Sequence, residues 1–190
     1  GLAGTWLIDP TNVEIVAATL NMDDSGGDPR TFSPTAAGTP ATLDVATLNG
    51  ALNAGTVVIV DTISGLAEAG NITVTNAIAK TAGAGTTLTL NATNNIIINN
   101  TISSTVGTLG VTLTAGAAVD INSAITTNGG TFNSSGTTFD NTGGTITTAG
   151  GGITINQSGA LTIGAAIAAT GGAISITGSP IAITAAVSGT

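Results

Sequence analysis

From Thr86 onward, apolar and polar residues alternate in short bursts that return in the same order. Four units align: TTLTLNATNNIIINNTI at 86–102, GVTLTAGAAVDINSAI at 110–125, GITINQSGALTIGAAI at 152–167 and AISITGSPIAITAAV at 173–187. Each holds two alternating pieces, then a lone apolar residue, then a Gly-rich corner, which reads TTNGG at 126–130, TTAGG at 147–151 and AATGG at 168–172. The lone residue is Ile102, Ile125, Ile146, Ile167 and Val187, at intervals of 23, 21, 21 and 20. Such a period is the signature of a repeat architecture, in which one unit buries its apolar face only against the next.

Alternation over three or four residues predicts strands with one buried face, and no helical period competes with it here. Thr, Ile and Val favour strands, and Gly and Asn punctuate them because they tolerate positive φ at corners. Within one unit the steps from Ile153 to Leu161 to Ile167 to Ile174 are 8, 6 and 7 residues. These are three short sides of a coil. Stacked coils place like residue on like residue, with parallel strands about 4.8 Å apart. The hexapeptide solenoid needs a strict six-residue step, and the calcium-binding nonapeptide type needs GGxGxD, which neither Gly129-Gly130 nor Gly143-Gly144 continues. The fold read from the pattern is all-β: a right-handed parallel β-helix (β-solenoid) with coils of about 20–24 residues and one short helix near the front.

The chain reads as a single β-helix domain, 1–190, with the less regular part first. Residues 1–62 form the lead-in and 63–190 the regular coils. An apolar strand at the start is broken by Asp9-Pro10 and resumes at Val13, and Pro10 cannot donate to a ladder, which predicts a corner. Residues 21–42, polar and carrying three of the five prolines, are expected to be a protruding loop. Residues 43–55 alone have helical spacing (Leu43, Ala46, Leu48, Ala51, Leu52) and end at Gly55, so a helix of a turn or two is expected. A strong strand at 56–62 and NITVTNAI at 71–78 lead into the repeats.

Composition narrows function more than fold. At 190 residues the chain is long enough for a substantial core, and only 6% of residues are charged, with Thr, Ser and Asn taking the outer positions. The net charge of −8 argues against nucleic acid or an anionic membrane as partner, since both need basic patches. Apolar residues are diluted by alternation, and no run approaches the roughly 20 that a membrane helix needs. The absence of Cys says little about redox compartment. The chain begins GLAGTWLIDP, without Met or a signal-peptide pattern, and is expected to be a mature or excised segment of something longer.

WLIDPTNVEIV at 6–16, ATLNGALNAGTVVIVDT at 46–62, GNITVTNAI at 70–78 and TLTLNATNNIIINNTISS at 87–104, followed by TNGG at 127–130, occur in an order that resembles the filamentous-haemagglutinin-like exoproteins of the two-partner secretion type. The resemblance covers nearly the whole chain and is to the β-helical shaft module. It implies export through an outer-membrane transporter, a secreted or bacterial cell-surface location, and a role in adhesion, in biofilm matrix or as the stalk of a contact-dependent toxin.

Catalytic chemistry finds few residues. With no His, no Cys and two bases, the usual nucleophile–base dyads and zinc sites cannot be assembled. Asp120 and Asp140 lie one coil apart, the best candidate for the carboxylate pair of a glycosidase; the plainer reading is two soluble corner residues. The β-helical polysaccharide lyases use basic residues beside acidic ones, and no base follows Lys80. Asp23, Asp24 and Asp28, with Gly between them, are a weak calcium candidate, matching no EF-hand spacing; otherwise they belong to a solvated loop, and no cofactor is expected. Trp6, Arg30 and Phe32 are the candidate ligand contacts, although Trp6 reads first as packing over the first coil. Phe132 and Phe139 stand where neighbouring units have Ile or Leu and are expected inside the column. Asn94, Asn95, Asn99 and Asn100 are expected at corners, their amides bonding along the axis. Asn91-Ala-Thr93 and the residues after Asn100 fall near glycosylation patterns, which carry little weight in a bacterial shaft. Outward Thr87, Thr89, Thr112, Thr114 and Thr154 raise an ice-binding reading, but Ile97, Asp120, Ser175 and Ala182 break the ranks.

The expected function is a non-enzymatic structural and adhesive rod segment of a secreted bacterial surface or biofilm-matrix protein. The alternatives are a self-stacking extracellular filament (fibre) subunit, or a carbohydrate- or receptor-binding module using the 21–42 loop. The expected partners are further coils of the parent chain or identical copies end to end, a transporter during export, and surface glycans. The last unit is as apolar as those inside the stack and only Ser-Gly-Thr follows it, so its edge is expected to be open.

Overall fold

Strands too short to stand alone become stable here by stacking into three parallel sheets. The computed structural model describes residues 12–35, 40–62 and 69–189, and it is an all-β parallel solenoid of about 5 turns with a single short helix. The 1–11 segment, with Trp6 and the Asp9-Pro10 corner, lies outside the described residues.

Each coil passes through three faces. In the coil that starts at Thr86 these are Thr86–Ala92, Ile96–Ile98 and Ile102–Ser104. Among the described residues the first face has eight strands, from Met22–Asp24 to Ile174–Thr177. The second also has eight, from Ala41–Asp44 to Ile181–Ile183, and the third has six, from Ile78–Lys80 to Val187–Gly189. The register is straight. Ile78, Ile102, Ile125, Ile146, Ile167 and Val187 pair in sequence, so the lone apolar residue opens the third-face strand in every coil.

Period-2 alternation sends one set of side chains into the axis. Leu88, Val111, Phe132 and Ile153 form one buried column, and Ile96, Val119, Phe139 and Leu161 another. Both Phe side chains fill the interior, as their alignment with Ile and Leu required. Each such side chain contributes about 1.5–3 kcal/mol relative to exposure, which no single coil could collect alone.

The Gly-Gly corners answer two separate demands. The first glycine of each pair (Gly129, Gly150, Gly171) has positive φ, which suits a residue without Cβ. The second lies against backbone one coil away: a Cβ on Gly151 would stand 2.0 Å from Gly130 O, and one on Gly172 2.3 Å from Gly151 O. The corners therefore stack main chain on main chain.

The lead-in differs from its sequence reading in two places. The helix is Val45–Asn53, while Leu43 belongs to the preceding strand, Ala41–Asp44, where it faces the core beside Ile15. The Asp44 carboxylate caps the helix by accepting from Ala46 N and Thr47 N, and the bond from Ala46 N, then those from Thr47 Oγ1 and N, hold its pKa below the usual carboxylate value. The 21–42 stretch, expected as a protruding loop, contains Met22–Asp24 and Arg30–Pro34, an antiparallel hairpin whose second strand pairs parallel with Val58–Asp61. It joins the first face because Phe32 and Pro34 alternate inward as the core residues do.

Candidate functional site

The hairpin holds two of the three predicted contact residues, but turns them inward or against each other. Phe32 is buried in the core and Arg30 lies over its ring, with the guanidinium carbon 5.0 Å from the centroid. Arg30 Nε donates to Asp24 Oδ1 at 2.9 Å and Nη2 to Oδ2 at 2.5 Å. This fork, aided by a bond from Gly26 N, holds the Asp24 carboxyl below its ordinary value despite some desolvation. Asp28 Oδ1 accepts from Val57 N at 3.0 Å, tying the turn to the first face. Two of the three calcium candidates thus direct oxygens elsewhere, Asp24 to Arg30 and Gly26, and Asp28 to Val57. Among the described residues no three acids, His or Cys come together as a metal-holding group.

Asp120 and Asp140 do come together. They are direct partners in the second-face ladder, with Ile97 on the other side of Asp120. Burial first, and the Asp140 charge second, raise the Asp120 pKa above the usual value. Asp140 Oδ1 accepts from Thr142 N at 2.7 Å. The two carboxyls stand side by side on an outer sheet face, whereas glycoside hydrolysis needs acids facing across a cleft with a sugar between them.

The outer ranks of the first face are Thr89, Thr112, Asn133, Thr154, Ser175 and Asn91, Thr114, Ser135, Asn156, Thr177. Amides interrupt the hydroxyls in both, so no regular hydroxyl lattice runs along this face. The predicted corner amides do bond along the axis: Asn94 Nδ2 donates to Asn71 Oδ1 at 3.0 Å, Asn122 Nδ2 to Asn99 Oδ1 at 2.9 Å, and Asn95 Oδ1 accepts from Ala118 N at 2.9 Å. Asn100 Nδ2 donates to Thr75 O at 3.1 Å.

Two polar devices escaped the sequence reading. One is a buried column on the third face: Lys80, Ser104, Thr127 and Thr148. Lys80 Nζ donates to the carbonyls of Ala82, Gly83 and Val106; Ser104 Oγ donates to Gly107 O, Thr127 Oγ1 to Gly130 O and Thr148 Oγ1 to Gly151 O. Each donor serves the corner that turns the chain into the next coil. Its sequence signal is a polar residue two positions after the lone apolar one.

The other device is the helix. Asn49 Oδ1 accepts from Ala79 N at 3.0 Å, and Asn53 Oδ1 from Thr81 N at 2.7 Å and Ala82 N at 3.0 Å. Two side chains at i and i+4 thus take the place of the strand that would otherwise pair with Ile78–Lys80. Among the described residues the last strands have no such cover. Ile181, Ile183 and Val187 are 43%, 54% and 38% exposed, although their ladder partners Leu161, Ile163 and Ile167 are buried.

No protein-family model matches the chain, and no curated protein matches it. Among the described residues no helix is long and apolar enough to cross a membrane.

Proposed function

We propose that this chain is a structural and adhesive rod segment of a secreted bacterial surface or biofilm-matrix protein, of the filamentous-haemagglutinin-like, two-partner type. The observation that carries the reading is the straight ladder register through every coil, with apolar columns inside and Thr, Ser and Asn on the outside of the first face. Such a stack is stiff along its axis and presents the same surface over and over, as a spacer requires. This reading asks no turnover chemistry of Asp120 and Asp140, which are neighbours in the second-face ladder.

A ligand site on the 21–42 hairpin has less support, because Phe32 is in the core and Arg30 is engaged by Asp24. The test is to display the chain on a bacterial surface as a spacer beneath a known binding tip, with a display lacking the chain as control. Longer reach, or greater cell retention on glycan-coated or matrix-coated surfaces, is expected. Polysaccharide cleavage by the purified chain that disappears in Asp120→Asn would overturn the reading.

A further inference from the structure

A groove of about 480 Å³ runs along the corner where the third face turns into the first. Val57, Thr87, Thr108 and Thr131 line it together with Gly85 and Gly110, and none of its lining residues is charged. Gly110 pairs with Thr87 in the ladder, and Thr131, whose carbonyl accepts from Val111 N at 2.8 Å, follows in the next coil. Two ladder steps separate Thr87 from Thr131, roughly 10 Å at strand spacing.

Two glycines of the groove have no cause in the backbone. Gly129 has positive φ, and a Cβ on Gly130 would stand 2.2 Å from Leu109 O, so the corner itself requires both. Gly85 and Gly110 show neither feature. A Cβ on either would first meet the hydroxyl of a groove threonine, Thr108 Oγ1 at 2.3 Å or Thr87 Oγ1 at 3.0 Å, and those side chains can turn to another rotamer. Gly110 also lies inside the strand Leu109–Ala115, where a glycine weakens pairing and often marks the close approach of a ligand. The hydroxyls are uncommitted too. Thr86 Oγ1 donates to Thr56 O, but among the described residues the Thr87 and Thr108 hydroxyls have no hydrogen-bond partner. Thr131 Oγ1 accepts only a 3.4 Å bond from Asn133 Nδ2.

We propose that this groove binds a neutral saccharide chain lying along the stack axis. Threonine hydroxyls both donate and accept, so Thr87, Thr108 and Thr131 match the hydroxyls at a sugar's rim. The C–H face of the ring rests on bare Gly110 and beside Val57, the mixture of apolar surface and a few placed polar groups that small-molecule sites use. A charged ligand would lose water here without meeting an opposite charge. The span from Thr87 to Thr131 suits two linked rings. The proposal rests on the adhesive reading only for where the ligand is met, and it places the binding surface on the shaft rather than on the 21–42 hairpin.

The test titrates the 190-residue chain with cellohexaose, maltohexaose and mannohexaose, with an alginate oligomer as the acidic control, and follows backbone amide shifts by NMR. Binding of at least one neutral probe with a Kd of roughly 1 mM or tighter is expected, with shifts centred on residues 85–87, 108–110 and 129–131. Gly110→Val fills the floor with a strand-favouring residue and should weaken binding about tenfold or more. Thr108→Val, which removes a hydroxyl at the exposed rim, should weaken it as well. Thr154→Val, on the same face but outside the groove, should leave binding unchanged, and all three melting temperatures should stay near the parent's. No shift with any neutral probe, an equal or stronger response to alginate, shifts centred elsewhere, or binding that survives both groove variants would each overturn the proposal. The cell-retention assay tests the adhesive reading by itself: retention without saccharide binding overturns only the groove.

Discussion

Lys80 Nζ donates to the main-chain carbonyl of Val106 at 2.8 Å, joining the corners of two successive coils through a fully buried side chain. The same nitrogen donates to Ala82 and Gly83 in its own corner, so the three donors of an ammonium meet three carbonyls. In the following coils the hydroxyls of Ser104, Thr127 and Thr148 serve the corners.

Lys80→Met keeps most of the apolar stem and removes all three donors. Val106 O keeps its bond from Ser104 Oγ at 3.3 Å, but losing the Lys80 donors at Ala82 and Gly83 should cost about 1–3 kcal/mol of stability. Denaturant unfolding followed by circular dichroism would measure it, with Ser104→Ala as the milder comparison. A Lys80→Met protein as stable as the parent would mean that the corners hold without these bonds.

Asp120 gives the outer face its pH dependence. Its folded pKa is raised, so the folded chain prefers the proton more than the unfolded chain does. The resulting cost is fully present above the raised value, and disappears as pH falls below the ordinary carboxylate range. Asp120→Asn should therefore stabilise the protein at neutral pH by roughly 0.2–1 kcal/mol, first by removing a partly desolvated charge and second by relieving the like-charge cross-strand pair with Asp140. The gain should vanish in acid. Melting temperatures across the acid-to-neutral range would show it, and a gain independent of pH would contradict the electrostatic cause.

Gly151→Ala places a methyl group against the main chain of Gly129 and Gly130 in the preceding coil, which cannot swing away as a side chain could. Overpacking of this kind should cost about 1–3 kcal/mol or more. Gly50→Ala serves as the control, because a Cβ there meets nothing within 4 Å and the site is inside the helix. That control should be neutral or stabilising by up to about 1 kcal/mol. Parallel thermal melts of the two variants decide it.

Asn53→Ala removes the acceptor for the amides of Thr81 and Ala82 at the front edge. Hydrogen exchange at those two amides should speed up strongly, while the amides of Ile125 and Ile146 inside the stack stay protected. Uniform acceleration along the chain would instead point to global destabilisation.

The faces, the coil length and the inward residues were legible in the chain because alternation is a local property. Which side Ile153 or Thr154 occupies follows from their order alone. The lone apolar residue marked the third face, and the Gly-Gly corners marked its end. The buried role of Lys80, the sealing of the front edge by Asn49 and Asn53, and the inward turn of Phe32 were decided by tertiary structure. Lys80 reads as a solvated base until the corner at Val106 is stacked above it. Asn49 and Asn53 read as helix-surface amides until Ile78–Lys80 is laid beside them. Phe32 reads as a loop aromatic until its strand pairs with Val58–Asp61. In each case the partner lies more than twenty residues away, and only the stacking register brings the two together.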